Sequence, residues 1–251
     1  MTKLIQDSLI TACLIITACF DSTFSGSFFT QAWNRDFQLR GLENGDTLGV
    51  EAVYSDGKTV YLYDQADGNL VQLSDKGAVI ARTKLESIGR DTYAGDDFIV
   101  KDTTAIFINS VDKRIEYFSV KTGKHIMGVN IPSDLLASEP RRMYRIVNRI
   151  FPDSAGFLLG NDRRLVPFNE KLGKQEASAK ILSAPSDMRF AYKDSRRTMY
   201  SQNNLLTDSS GKQYRQPPTH FPVNGKRIFI LGNKPYALSL TPDSIRIVSL
   251  Q

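Results

Sequence analysis

Three features of the sequence predict an all-β chain folded as a β-propeller of about five to six four-stranded blades. Short runs of alternating apolar and polar residues fill the chain from Asp46 onward. Turn pairs containing glycine punctuate these runs, and the combination marks β-hairpins, because a tight turn needs positive φ at its centre. The layout also repeats. The first turn of each unit recurs from Gly57 to Gly225 over four repeats, a mean period of about 42 residues. One four-stranded sheet cannot bury both of its faces, whereas sheets set radially pack each face on a neighbour. A sandwich or barrel of hairpins without radial order is the competing architecture, since even strand spacing supports both.

In chain order, the first element is an apolar run from Leu9 to Cys19, preceded by Lys3 and bounded by Asp7 and Asp21. It is shorter than the about 20 apolar residues that cross a bilayer and has the length of a signal-peptide core. It has no polar face, which argues against a buried amphipathic helix. Ile16-Thr17-Ala18-Cys19 resembles the lipobox of bacterial lipoproteins, an aliphatic residue and two small residues before a cysteine. The resemblance implies removal of residues 1–18 and a covalent diacylglyceryl and acyl anchor on Cys19. Ordinary secretion and an uncleaved anchor are the alternatives. Cys13 and Cys19 are the only cysteines, so the processed chain keeps none for a disulfide, a metal or a thiol nucleophile. The expected location is outside the cytoplasm on a membrane. Phe20, rather than aspartate, follows Cys19, which favours the periplasmic face of the outer membrane.

Residues 19–27 read as a flexible tether rich in Ser, Thr and Gly, and residues 28–251 as the propeller domain. Phe28–Leu42 precedes the first repeat. It either supplies strands to a sixth blade or closes the ring against the carboxyl end. The first repeat predicts strands over Gly49–Ser55, Lys58–Asp64, Asn69–Asp75 and Val79–Leu85, with turns at Asp56-Gly57, Asp67-Gly68 and Lys76-Gly77. The next three repeats place their third turns at Thr122-Gly123, Leu172-Gly173 and Ser210-Gly211, and a fifth runs from His220 to the last residue. The most apolar strands, Val60–Leu62, Ala105–Ile108, Gly156–Leu159 and Ile228–Leu231, are expected to be the inner ones. In SEPRRMYRIVNRIF, Met143, Ile146, Val147, Ile150 and Phe151 fall at helical spacing, but the blade rhythm favours a strand.

These units resemble PQQ-like and WD-like propeller repeats, in a layout similar to the propeller lipoproteins of outer-membrane barrel assembly. SVKTGKHIMG is nearest to the PQQ-repeat signature, with Ser119 and Met127 where that signature has aspartate and tryptophan. The resemblance implies the architecture. It carries no quinone to this chain, and no cofactor beyond the acyl anchor is expected.

No catalytic or metal-binding pattern stands out. His125 and His220 are the only histidines. Neither sits in a sequence pattern that supplies a nucleophile or a carboxylate partner. Zinc spacing, a calcium loop, a phosphate loop and a Gly-x-Ser-x-Gly elbow are all missing from the sequence. The net charge of +5 suits an acidic partner or anionic lipid. No basic run is dense enough for nucleic acid. Arginine pairs are the remaining clue. Propeller hairpins alternate ends, so Arg141 and Arg142, in an interblade connection, share a face with Arg163 and Arg164, in a second-to-third turn. Arg90 and Lys113 join that face, and Arg196 and Arg197 point the other way. The expected function is a non-catalytic, monomeric binding or scaffold module that docks another envelope protein on the four-arginine face. The alternative is a small-ligand receptor or enzyme that uses the central channel.

Overall fold

The computed structural model describes residues 27–32, 49–65, 67–88, 94–133, 135, 146–153, 156–169, 174–175, 181–203, 205–216, 225–240 and 244–251. They form five separate antiparallel sheets, arranged as the five blades of a β-propeller. The first strand, β1 (Ser27–Ala32), belongs to the last blade. Blade one is β2 (Val50–Ser55), β3 (Val60–Asp64), β4 (Asn69–Leu73) and β5 (Val79–Lys84). Blade two is β6 (Asp97–Lys101), β7 (Thr104–Asn109), β8 (Arg114–Ser119) and β9 (His125–Asn130). Blade three is β10 (Arg149–Asp153), β11 (Gly156–Gly160) and β12 (Arg164–Asn169). Its outer position is shared by β13 (Lys174–Gln175) and β14 (Leu182–Ser183), which pair with opposite ends of β12. Blade four is β15 (Arg189–Lys193), β16 (Thr198–Gln202), β17 (Leu205–Asp208) and β18 (Gln213–Arg215). Blade five is β19 (Ile228–Leu231), β20 (Lys234–Leu240), β21 (Ser244–Ser249) and β1.

Phe28–Leu42 therefore begins with the strand that closes the ring, not with a sixth blade. β1 pairs antiparallel with β21, Phe29 opposite Ile247 and Ala32 opposite Ser244. The described part of SEPRRMYRIVNRIF is extended, with β10 starting at Arg149, and residues 138–145 lie outside the described residues.

Period-two alternation builds the ring. In β3, Val60 and Leu62 pack toward blade five, whereas Tyr61 and Tyr63 pack toward blade two. Each strand thus feeds two seams, because successive side chains leave opposite faces of the sheet. The buried clusters correspond to these seams: five with one, one with two, two with three, four with five, and three with four. The last is small, centred on Phe151, Leu158, Leu165 and Phe190.

The innermost strands are the first of each blade, since β2, β6, β10, β15 and β19 contact one another around the axis. Three of the apolar strands expected to be inner, within β3, β7 and β11, are instead second from the axis, and only Ile228–Leu231 lines it. These three second strands are flanked by a strand on each side and by a blade on each face, so they are more completely buried than the first strands of their blades; β3 and β11 are buried throughout. The first turn of blade five is Gly232-Asn233, at φ of 52° and 68°, which is the backbone a two-residue hairpin requires. Gly225, expected in that role, instead opens a short 3-10 turn, Gly225–Arg227, leading into β19.

Candidate functional site

At the end of the ring where blades connect, charge pairs join the starts of the inner strands β6, β10 and β19. Arg149, the first residue of β10, donates from Nε to Asp97 Oδ2 at 2.8 Å. It also donates from Nη1 and Nη2 to the main-chain oxygens of Phe190 and Ala191, at 3.2 and 3.5 Å. Asp97 begins β6 and also accepts the Ile150 N–H at 3.2 Å. One buried pair thus ties blades two, three and four together at the axis. Lys226 approaches from the entry to β19 and places Nζ 3.8 Å from Asp96 Oδ1. Beyond these pairs the axial space, lined by Val53, Phe98, Ile150 and Phe229, amounts to about 20 Å³, room for one water molecule.

The other end is open. Tyr54 and Tyr192 line both the narrow axial space and a mouth of about 520 Å³. The mouth is walled by Pro152 of β10 and by first-to-second turns: Asp56 and Gly57 of blade one, Asp194, Arg196 and Arg197 of blade four, and Gly232 and Asn233 of blade five. The same device builds two of these turns. Asp56 Oδ1 accepts the N–H groups of Lys58 and Thr59 at 2.8 and 2.7 Å, and Oδ2 accepts the Tyr61 hydroxyl at 3.4 Å. Asp194 Oδ1 accepts the N–H groups of Arg196 and Arg197 at 2.7 and 2.6 Å, and Oδ2 accepts the Tyr192 hydroxyl at 2.7 Å. An aspartate capping its own turn is pinned by its backbone. Arg197 Nη1 donates to the Asn233 carbonyl at 3.2 Å, joining the rims of blades four and five.

Burial, then the charges of Asp56 and Asp194 and the neighbouring Tyr61, push the Tyr54 hydroxyl up to about 12. The Tyr192 hydroxyl is also pushed up, first by burial and then by its hydrogen bond to Asp194. Both are neutral donors and acceptors throughout the physiological range.

The arginines singled out in the sequence separate by end. Arg163 closes the turn between β11 and β12, and Arg164 opens β12; both N–H groups bond to Asn161 Oδ1 at 2.9 Å. Lys113 occupies the corresponding turn of blade two, where Val111 is 76% exposed. Arg196 and Arg197 lie at the mouth, on the opposite end. Cys19, Arg90, Arg141, Arg142 and His220 lie outside the described residues. His125 lies on β9 with Nε2 2.8 Å from Oε2 of Glu116, which is buried and also held by Arg114 Nε at 2.7 Å. The sequence reading passed over Tyr54, Asp56, Tyr192 and Asp194 as a site. Their signal was a repeat: Tyr54-Ser55-Asp56 and Tyr192-Lys193-Asp194 end the first strands of two blades.

No family model matches the chain, and no curated protein matches it in sequence. Among solved structures it is similar to a glutaminyl cyclase from Myxococcus xanthus, at 10% identity and a TM-score of 0.41, over 81% of this chain and 74% of that one. It is similar to a streptogramin B lyase, at 14% identity and a TM-score of 0.37, over 87% and 72%. A Bacteroides fragilis chain described as a candidate exported protein gives 11% identity and a TM-score of 0.47, over 88% and 95%. No residue role passes from these proteins to this chain.

Proposed function

We propose that this chain is a lipid-anchored, extracytoplasmic binding protein, held by Cys19 and acting as a monomer, that takes its ligand at the mouth of the axial cavity and performs no chemistry on it. The observation that carries this reading is a mouth of about 520 Å³ lined by residues of four blades, above an axial space that narrows to about 20 Å³ beside the Asp97–Arg149 pair. Ligand sites favour such concave, preformed walls with a few convergent polar groups. A photo-crosslinking residue in place of Ser195, in the full chain expressed in bacterial envelopes, tests it. The reading expects an adduct at that position, lost when Ser55→Trp fills the mouth. No adduct, or one that survives the filling, refutes it.

A second reading is docking of an envelope protein through Arg141, Arg142, Arg163 and Arg164; what favours it is the exposed apolar side chain of Val111 in the second-to-third turn of blade two, the turn that corresponds to that of Arg163 in blade three. It predicts the adduct at a crosslinker in place of Val111 instead, lost with the paired Arg163→Glu and Arg164→Glu changes, since reversed charge repels a complementary partner.

A further inference from the structure

Resting on the Cys19 anchor of that reading, we infer that the outer rim of blades one and two lies on the surface of a bilayer that contains anionic phospholipid. The rim is formed by β5 and β9, the outermost strands of those blades, and by the third turns that lead into them. Seven large apolar side chains among the described residues are well exposed, and four of them sit here. Val79 and Ile80 begin β5, and Ile126 and Met127 lie near the start of β9; Ile80 is 57% exposed and Ile126 54%. The outer strands of blades four and five instead expose polar residues, Gln213 and Arg215 in one, Ser27 and Thr30 in the other. Residues 74–84 and 119–127 carry five basic residues, Lys76, Arg82, Lys84, Lys121 and Lys124, all exposed, against one acidic residue, Asp75. Exposed aliphatics flanked by lysine suit the headgroup boundary of a bilayer, where the apolar groups sink in and the cations meet phosphate.

The ladder of each outer strand favours lipid over an added protein strand. Leu73 lies opposite Val79 and Gln72 opposite Ala81, so Ile80 is an extra residue in β5. Phe118 lies opposite His125 and Tyr117 opposite Met127, so Ile126 is an extra residue in β9. Such bulges interrupt the row of main-chain groups that a partner strand must pair with, and leave contact with a fluid surface unaffected. The chain also enters the fold at this rim. A Cβ on Gly77, in the third turn of blade one, would run into the Phe28 main-chain oxygen, so the start of β1 lies against that turn. From there β5 leads to Lys84, whose main-chain oxygen packs on Gly123 in the third turn of blade two. Ser27 follows Cys19 by eight residues, which reach at most about 29 Å. An acyl chain on Cys19 therefore keeps this rim close to the membrane. Arg163 and Arg164 give the opposite end cations too, and it is the tether that selects the rim.

The acylated full chain, reconstituted in vesicles, tests the inference. Processing leaves no free thiol, so a bimane fluorophore is placed by Ile80→Cys, by Ile126→Cys or, away from the rim, by Val111→Cys. The vesicles are phosphatidylcholine alone or with phosphatidylglycerol, and carry a headgroup nitroxide that quenches on contact. In the anionic vesicles, quenching at the rim positions should exceed that at Val111 by about threefold or more. It should fall severalfold in neutral vesicles and in about 0.5 M salt. Lys76→Gln with Lys124→Gln should also lower it severalfold, with circular dichroism unchanged. One rim position suffices where the other variant does not fold. Quenching at the rim no greater than at Val111, or indifferent to lipid charge, overturns the inference. A rim label shielded in native envelopes but not quenched by lipid makes an acidic protein the occupant and overturns it as well. Where mass spectrometry finds Cys19 unacylated, flotation of the unlabelled chain with anionic vesicles alone, weakened by the two lysine changes, keeps the surface while the anchor fails. Flotation that ignores lipid charge, or none, then removes both. The Ser195 adduct reads the mouth independently.

Discussion

Arg149 and Asp97 meet at 2.8 Å with both side chains nearly excluded from solvent, across the boundary between blades two and three. Desolvating two charges is costly, and removing one partner leaves the other buried without compensation. Asp97→Ala should therefore cost about 3–5 kcal/mol of stability, read from the urea unfolding midpoint. Joint replacement of both by apolar residues, Asp97→Leu with Arg149→Met, should cost less than Asp97→Ala alone. A double variant at least as unstable as the single one would show that the three-blade contacts of Arg149 outweigh the ion pair.

Ring closure rests on a short strand. Phe29 is buried among Ile245, Ile247 and Leu238 of its own blade and residues of blade one. Phe29→Ala should cost about 3–5 kcal/mol, the usual range for an excavated aromatic. Hydrogen exchange should locate the loosening in β1 and β21 rather than uniformly; protection unchanged there contradicts the closing role.

Gly123 and Gly211 occupy third turns, at φ of 70° and 86°. A Cβ on Gly123 would run into the Lys84 main-chain oxygen of the preceding blade, whereas one on Gly211 would meet nothing within 4 Å. Gly211→Ala should show only the left-handed backbone penalty, about 1 kcal/mol, and Gly123→Ala distinctly more. Thermal melting of the two variants side by side decides it; equal losses would mean that blade one yields freely at Lys84.

The pH dependence has a definite sign. The Tyr54 hydroxyl is raised from 10.0 to about 12 in the folded chain. Its contribution is fully present below the unfolded value and is lost as pH climbs from 10 toward 12. The loss is about 1.4 kcal/mol for each pH unit in that window. Tyr63 is raised as well, first by burial and against its hydrogen bond from the Ala94 N–H, so it adds to the decline. Tyr54→Phe should flatten the alkaline slope of stability without changing the slope near neutrality.

Lipidation has a direct measurement. Expression of the full chain in a bacterium, with mass spectrometry of its processed amino terminus, should find an acylated Cys19. A terminus beginning at any other residue removes the anchor from the proposed function.

Local signals carried the fold. Asp-Gly, Lys-Gly and Thr-Gly pairs between alternating runs specify turns within a few residues, so the first blade was legible almost to its ends: Val50–Ser55 and Val79–Lys84 against expected strands of Gly49–Ser55 and Val79–Leu85. Asn224-Gly225 and Gly232-Asn233 flank β19 and satisfy the same turn chemistry, so the repeat spacing put the first turn of the fifth unit at Gly225. The sequence offers the pairing of β1 with β21 only as one of two options, since no local pattern reports a partner at the far end of a chain. The mouth was harder to see for a related reason. Each Tyr-x-Asp segment reads alone as a strand end followed by a turn, and only closure of the ring brings blades one and four to the same opening.

A blade completed by the first and last strands has a cost in time. β2 through β20 can pair with near neighbours as they emerge, but β1 has no partner until β21 exists, and such distant pairings form slowly. Through that interval blade five presents an open edge, with Ile245 and Ile247 facing the gap that Phe29 will fill. An identical β1 from a second molecule meets the same edge with the same register. Crowded folding can therefore produce swapped dimers that contain every native contact, and dilution during refolding favours the ring closed on itself.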